Sequence, residues 1–291
     1  MSEGIVRLAD GRDLGYREMG PPDAPVVIYC HGFPSNSGEL GILEPTLARY
    51  AVRARVVAID RPGFGRSTFQ PSRRFTDAPR DVAELADRLA IGRFAVMGVS
   101  GGSPYALACA DSLADRVHRV GIVAGVAPMQ AAGMSEASLI TGPSANSLLR
   151  RMQFELAALA FKKEQPAKFV ERSIGSMCAL DQLVLSTPSA RAWFTELVRD
   201  SLVRGGRAAG QEAGLYRQPW GFDPEHLDVS VRLWHGTADE TVPDSAGRWL
   251  AERIPNATMV TWPRQGHFTW MVEQLAVEAV AWTATGKSTP A

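Results

Sequence analysis

Short apolar runs recur along the chain with amphipathic segments between them, and this alternation predicts both the elements and their layering. Residues 26–30, 56–59, 94–97 and 120–124 are continuous apolar runs. Strands of that kind have to be covered on both faces, so they predict a mostly parallel sheet with crossover helices. Two alternating segments precede them, 5–8 and 14–17, joined through Asp10-Gly11. Asp-Gly supplies the positive backbone angles of a tight turn, which predicts an antiparallel hairpin at the sheet edge. Residues 229–234 and 258–262 continue the sheet late in the chain.

The intervening segments carry helical spacing. Over 78–89, Val82, Leu85 and Leu89 fall at i, i+3 and i+7 and leave Arg80, Glu84, Asp87 and Arg88 for solvent, with Asp77 placed as N-cap. A last helix over 268–282 aligns Val272, Leu275, Ala276 and Ala279, and the tail 283–291 is expected to fray. Between residues 127 and 218 the strand pattern stops, and helical segments at 148–161, 167–177 and 190–203 replace it. The expected fold is therefore an α/β core, built from 1–126 and 219–291. A helical cap over 127–218 is inserted between the fourth and fifth parallel strands.

Composition narrows the function classes. The 291 residues hold 31 basic and 31 acidic side chains, so the basic surplus of a nucleic-acid binder is missing. Residues 127–217 contain eleven Lys and Arg against eight Asp and Glu, a surplus too small and scattered to argue for a phosphorylated substrate. No apolar run approaches the roughly 20 residues of a membrane span, and the N-terminus lacks a signal-peptide pattern. Cys30, Cys109 and Cys178 lie far apart without metal-ligand spacing and read as buried small hydrophobes in a reducing compartment, the cytoplasm.

The chemistry concentrates in Gly98-Val99-Ser100-Gly101-Gly102, directly after the run at 94–97 and before a helical stretch at 104–114. A strand, a sharp turn and a helix in that order lift the Ser100 hydroxyl clear of the sheet, and Gly98 and Gly102 leave room for the turn. A serine hydroxyl needs a base to become a nucleophile. Of five histidines, His267 follows the last strand and so lies at the same carboxyl edge as Ser100. Asp239, just past the strand at 229–234, is the carboxylate expected to orient it, with Glu240 and Asp244 as substitutes. Asp223 precedes that strand and belongs at the wrong edge. The N–H groups of Gly101 and Phe33 are the expected oxyanion donors; in His31-Gly32-Phe33-Pro34 the proline has none to give. Phe268 and Trp270 follow the base closely enough for one to border a substrate pocket. The cap adds Met129, Met134, Met152, Phe154, Phe161, Met177, Trp193 and Phe194 as candidates for an apolar lining.

Together these residues resemble the α/β-hydrolase superfamily, in its serine-nucleophile, capped and esterase-like form, over nearly the whole chain. Asp60-Arg61-Pro62-Gly63-Phe64-Gly65-Arg66-Ser67 is similar to the family's loop after the second parallel strand, where the aspartate is structural. The resemblance also implies that His31 braces its loop. His-Gly-Phe-Pro is similar to epoxide hydrolases, but those use an aspartate nucleophile where this chain has Ser100. The implied activity is hydrolysis of a carboxylic ester of a small or medium apolar molecule, without metal or organic cofactor. Carbon–carbon bond hydrolysis, lactone opening and cofactor-free perhydrolysis share the same residues, and a ligand receptor on the same fold is the non-enzyme alternative. Proline-releasing peptidases fit less well, since they carry Gly-Gly-Ser-Trp-Gly at this turn. The implied partner is a small-molecule substrate, neither nucleic acid nor membrane, with the chain a monomer or small homo-oligomer.

Overall fold

The computed structural model describes residues 1–131, 133–135, 145–163, 166–202 and 204–288. Eight strands form one sheet: β1 Ser2–Arg7, β2 Asp13–Met19, β3 Val26–Cys30, β4 Arg55–Ile59, β5 Phe94–Val99, β6 Val117–Val123, β7 Val231–Gly236 and β8 Ala257–Trp262. Their order is β1-β2-β4-β3-β5-β6-β7-β8. β2 pairs antiparallel with both β1 and β4, and every later pairing is parallel. The continuous apolar runs are thus the parallel strands, and the alternating segments are the edge hairpin. The hairpin connection is looser than a two-residue Asp-Gly turn. Leu8 N donates to Arg12 O, Asp10 accepts from the Arg12 N–H, and Gly11 alone takes a positive φ of 83°.

Helices α1 Leu40–Arg49, α2 Ala78–Arg88, α3 Ser103–Ser112, α9 Asp244–Arg253 and α10 Glu273–Thr285 cover the sheet. On β3 the side chains alternate between two buried cores. Ile28 and Cys30 join Leu85, Tyr105 and Leu250 on one face, while Val27 and Tyr29 join Leu40, Leu43 and Trp282 on the other. Between β6 and β7 the described residues form α4 Ser147–Lys163, α5 Pro166–Gly175, α6 Ala179–Val184, α7 Pro188–Leu202 and α8 Arg207–Leu215. Val203, at the end of one predicted helix, lies outside the described residues.

Three sequence expectations fail for local reasons. Asp77 makes no side-chain cap on α2, because it already has helical backbone angles in a short turn over Phe75–Asp77. Its carboxylate points back and accepts from Arg74 N at 2.8 Å. The last helix is not continuous from 268. A turn over His267–Met271 is separated from α10 by Val272 in an extended conformation. Nor does the tail fray from residue 283: Thr283 is buried, bonds the Ala279 carbonyl at 2.7 Å, and α10 ends on Gly286 at φ 76°. Residues 289–291 lie outside the described residues.

A buried ionic cluster ties the inserted helices to the core. Glu212 of α8 is fully buried and takes Arg61 at 2.6 Å on one oxygen and Arg73 on the other. Tyr216 adds its hydroxyl at 2.8 Å. Burial works against the Glu212 charge, but the two guanidiniums outweigh it and hold the carboxyl below its ordinary value. Removing one member leaves buried cations uncompensated, which typically costs about 3–5 kcal/mol. Glu212→Gln should therefore lower stability by about 3 kcal/mol or more in urea unfolding, and a loss below about 1 kcal/mol would contradict this account.

Candidate active site

The carboxyl ends of β3, β5, β7 and β8 carry the four loops that meet around Ser100. β5 runs into a tight turn over Ser100–Gly102 and then into α3. Ser100 has φ 50°, a left-handed conformation that side chains rarely adopt. The turn is crowded: a Cβ on Gly102 would stand 2.1 Å from the Cys30 carbonyl oxygen, and one on Gly98 would stand 2.8 Å from the Gly102 oxygen. Glycine at both positions is therefore a steric requirement of the close approach between β5, α3 and the end of β3.

His267 lies in the loop after β8, with Nε2 2.8 Å from Ser100 Oγ and Nδ1 2.7 Å from Asp239 Oδ2. Asp239 lies past β7 and is held by the Thr241 and Val242 N–H groups, which donate to Oδ1 at 2.8 and 2.9 Å. All three side chains are buried. Burial works against the Asp239 charge, yet His267 and His235 together hold its carboxyl well below the usual carboxylate range. For His267 burial opposes the charged ring, but Asp239, with Asp181 and Glu39 beyond it, raises the imidazole above its ordinary value. The other carboxylates weighed in the sequence do other things. Asp244 pairs with Arg248 at 2.5 Å, Asp223 caps a short turn before β7, and Glu240 lines the cavity without a bond to His267.

The loop His31–Pro34 lies against the Ser100 turn. A Cβ on Gly32 would sit 3.6 Å from Ser100 Cβ, and one on Gly101 would sit 2.8 Å from Phe33 Cβ. Arg61 fixes this loop by donating to the carbonyls of His31 and Gly32. His31 Nδ1 bonds the Gly32 carbonyl, and its Nε2 accepts from Arg61 N at 3.2 Å. Burial, with the Arg61 charge beside it, keeps this ring neutral by driving its pKa well below the ordinary histidine value. Asp60 accepts from Ser37 N and Arg66 N and lies away from His267 as a loop anchor.

A cavity of about 660 Å³ opens onto Ser100 and His267. Phe268 and Trp270 both line it; of the inserted side chains singled out in the sequence Phe154, Met177 and Phe194 do so as well, and Phe169 joins them. The others pack elsewhere. Met134 joins the main core, Phe161 packs among the inserted helices, Met152 is exposed, and Trp193 donates to Gly38 O at 2.9 Å.

Four functional neighbours were invisible in the sequence. His235 Nε2 sits 2.9 Å from the Val242 carbonyl and 3.3 Å from Asp239 Oδ2, so a second imidazole supports the same carboxylate. Glu39 is buried in the wall of the cavity, where Tyr29 and Gly32 donate to it. Burial pushes its carboxyl up, against those donors. Asp181 of α6 is buried and accepts from Phe268 N at 2.9 Å, one residue beyond His267. Cys178, expected to be buried, is half-buried and faces the cavity, with its Sγ donating to Asp181 at 3.2 Å. A short inserted helix therefore holds the backbone that carries His267.

Similarity to known proteins follows the same lines. A bifunctional esterase/perhydrolase of Acinetobacter calcoaceticus is 25% identical over 270 residues, covering 91% of this chain and 92% of that protein. A non-heme chloroperoxidase of Streptomyces lividans is 28% identical over 273 residues, with 91% and 92% covered. Among solved structures, a hydrolase from Pseudomonas aeruginosa superposes with a TM-score of 0.72 at 20% identity, covering 97% and 98% of the two chains. A thermophilic esterase from Thermogutta terrifontis does so at 0.69 and 19%, covering 98% and 100%. The family model described as alpha/beta hydrolase fold matches residues 25–274, and with the sheet order and the turn at Ser100 this places the chain in the alpha/beta hydrolase fold family.

Proposed function

We propose that the protein is a serine hydrolase that cleaves a carboxylic ester of a small or medium apolar molecule through an acyl-enzyme. The observation that carries this reading is the pair of bonds on His267, 2.7 Å to Asp239 and 2.8 Å to Ser100, at the wall of an apolar cavity. In the resting state Nδ1–H donates to Asp239, so Nε2 is free to accept the Ser100 hydroxyl proton. Ser100 Oγ attacks the ester carbonyl while His267 takes that proton. The Phe33 and Gly101 N–H groups receive the oxyanion, an interaction whose loss typically costs about 2.7–4 kcal/mol per donor. His267 then protonates the leaving alcohol, and a water activated by the same ring releases the acid. Apart from the substrate and that water, the groups in these steps belong to this chain, and residues 127–218 act as the cap that roofs the acyl site.

Among the described residues no helix is long and apolar enough to cross a membrane. We place the enzyme in the cytoplasm, acting on a diffusible substrate as a monomer or small homo-oligomer. The name of the Acinetobacter relative couples esterase with perhydrolase, and this favours a second reaction at the same site. In it, hydrogen peroxide takes the place of water in attacking the acyl-enzyme.

Ser100→Ala should lower kcat on chromogenic esters by about 10⁴-fold or more while leaving circular dichroism and Tm unchanged. Full turnover in the variant would sink the mechanism. Across an acyl-length series, activity should peak at short or medium chains, whereas a preference for the longest chains would contradict the proposed substrate class.

The profile of kcat/KM should rise with pH through one ionisation placed above the ordinary histidine value, because His267 acts unprotonated and its pKa is raised. Asp181 contributes part of that rise. Asp181→Asn should therefore move the acid limb to lower pH, and an unmoved limb would remove Asp181 from the account.

A further inference from the structure

Arginines that are scattered in the sequence converge on a second cavity, of about 640 Å³, separate from the one at Ser100. Arg73 and Arg74 reach it from the segment between β4 and α2, Arg150 and Arg151 from α4, and Arg207 from the first turn of α8. Among the described residues no Asp or Glu lines it. In a chain whose acidic and basic residues balance at 31 each, five arginines lining one hollow, one of them turned to Glu212, are a local excess that the composition hides.

The packing that gathers them is specific. Gly206, Gly210 and Gly214 recur at four-residue intervals along α8 and form one face for α4. A Cβ on Gly206 would stand 2.1 Å from the Phe154 carbonyl carbon, and one on Gly210 would stand 3.0 Å from Arg151 Cα. One on Gly214 would stand 2.4 Å from an Arg150 guanidinium nitrogen. A side chain at Gly206 or Gly210 would push the α4 backbone away and one at Gly214 would displace the Arg150 guanidinium, so the glycines let Arg150 lie along α8 with Nε donating to Gly210 O at 2.8 Å. Arg207 is held with its guanidinium carbon 4.1 Å from the centre of the Phe69 ring.

Charge is left over in this cavity. Glu212 neutralises Arg73, but no carboxylate pairs with Arg74, Arg151 or Arg207 among the described residues. Burial, with the nearby charge of Arg217, already pushes Arg150 below its ordinary value, the direction expected where cations crowd together. Three guanidiniums with no carboxylate beside them call for an anion with several oxygens and more than one negative charge, which a phosphate or diphosphate supplies. We propose that this cavity binds the phosphate of a multiply charged anion between α4, α8 and the segment at residues 69–74. Ser72, Ser147 and Gln218 also line it, as does Gln211, whose Nε2 donates to Gln70 O at 3.0 Å.

That phosphate has two possible carriers, a soluble organic phosphate or a lipid headgroup. Leu148, at the cavity edge, heads an exposed row with Met152, Leu156 and Leu159 along α4, a face suited to lie on lipid tails. The experiment separates the two and does not depend on Ser100. Calorimetry of the full chain with inorganic pyrophosphate is run beside co-sedimentation with vesicles of phosphatidylglycerol and of phosphatidylcholine. Arg151→Gln and Arg207→Gln alter exposed side chains and are checked for unchanged Tm, with Arg74→Gln replacing either if its Tm falls. The expected result is pyrophosphate binding that each substitution weakens about tenfold and that falls steeply with added salt. Binding confined to phosphatidylglycerol vesicles, and lost in the same variants, assigns the phosphate to a lipid headgroup. Binding to neither probe, or binding that the substitutions leave unchanged, overturns the proposal.

Discussion

A carboxylate taken out of water must meet its counter-charge inside the protein, and Glu212 sets the terms on which the inserted helices join the core. Its two oxygens hold Arg61 and Arg73, and Tyr216, which also touches Glu212, donates to the Gly101 carbonyl at 3.0 Å. Arg61 in turn fixes the His31 and Gly32 carbonyls. One buried charge therefore determines where α8 sits, how the loop carrying Phe33 is held, and how the turn after Ser100 is supported from behind. Such an arrangement stabilises only when every member is present, because each half alone is an uncompensated ion in a medium of low polarity.

The same logic governs the imidazole at Ser100. Burial alone would push the His267 imidazole below its ordinary value. Asp239, Asp181 and Glu39 reverse that tendency, and the three come from different parts of the chain. Asp239 stays ionised through the combined effect of two histidines and two backbone donors. The imidazole is thus set by a ring of buried acids and donors whose net effect is a difference between large opposing contributions. Helix α6 takes part directly through Asp181, so a helix from between β6 and β7 also shifts the ring of His267.

Glycine serves three separate ends in this molecule. At 98 and 102 it admits the close crossing that strains Ser100, at 32 and 101 it keeps the facing loops in touch, and at 206, 210 and 214 it seats α4 on α8. At 98, 102 and 206 the nearest neighbour is backbone closer than 3 Å, so an added methyl group has nowhere to go.

Much of this protein was written in local pattern. The continuous apolar runs became the parallel strands because a strand covered on both faces has no polar side to show. The Gly98–Gly102 turn, and the order of Ser100, Asp239 and His267, could be read because each lies next to a strand end whose edge is known from the topology. Boundaries set by single hydrogen bonds were not legible, as Asp77 and the break at Val272 show. Nor were Asp181, His235 and Glu39, since a buried acid beside a base looks like any other acid until packing brings them together. The arginines make the point most plainly. Residues 127–217 show only a small, diffuse basic surplus, to which Arg150, Arg151 and Arg207 contribute, while in space these three meet Arg73 and Arg74 at one cavity, across 134 residues from Arg73 to Arg207. Sequence determines which charges exist and which strands must be covered; only the packed chain decides which charges meet, because Coulomb energy depends on distance in space and not along the backbone.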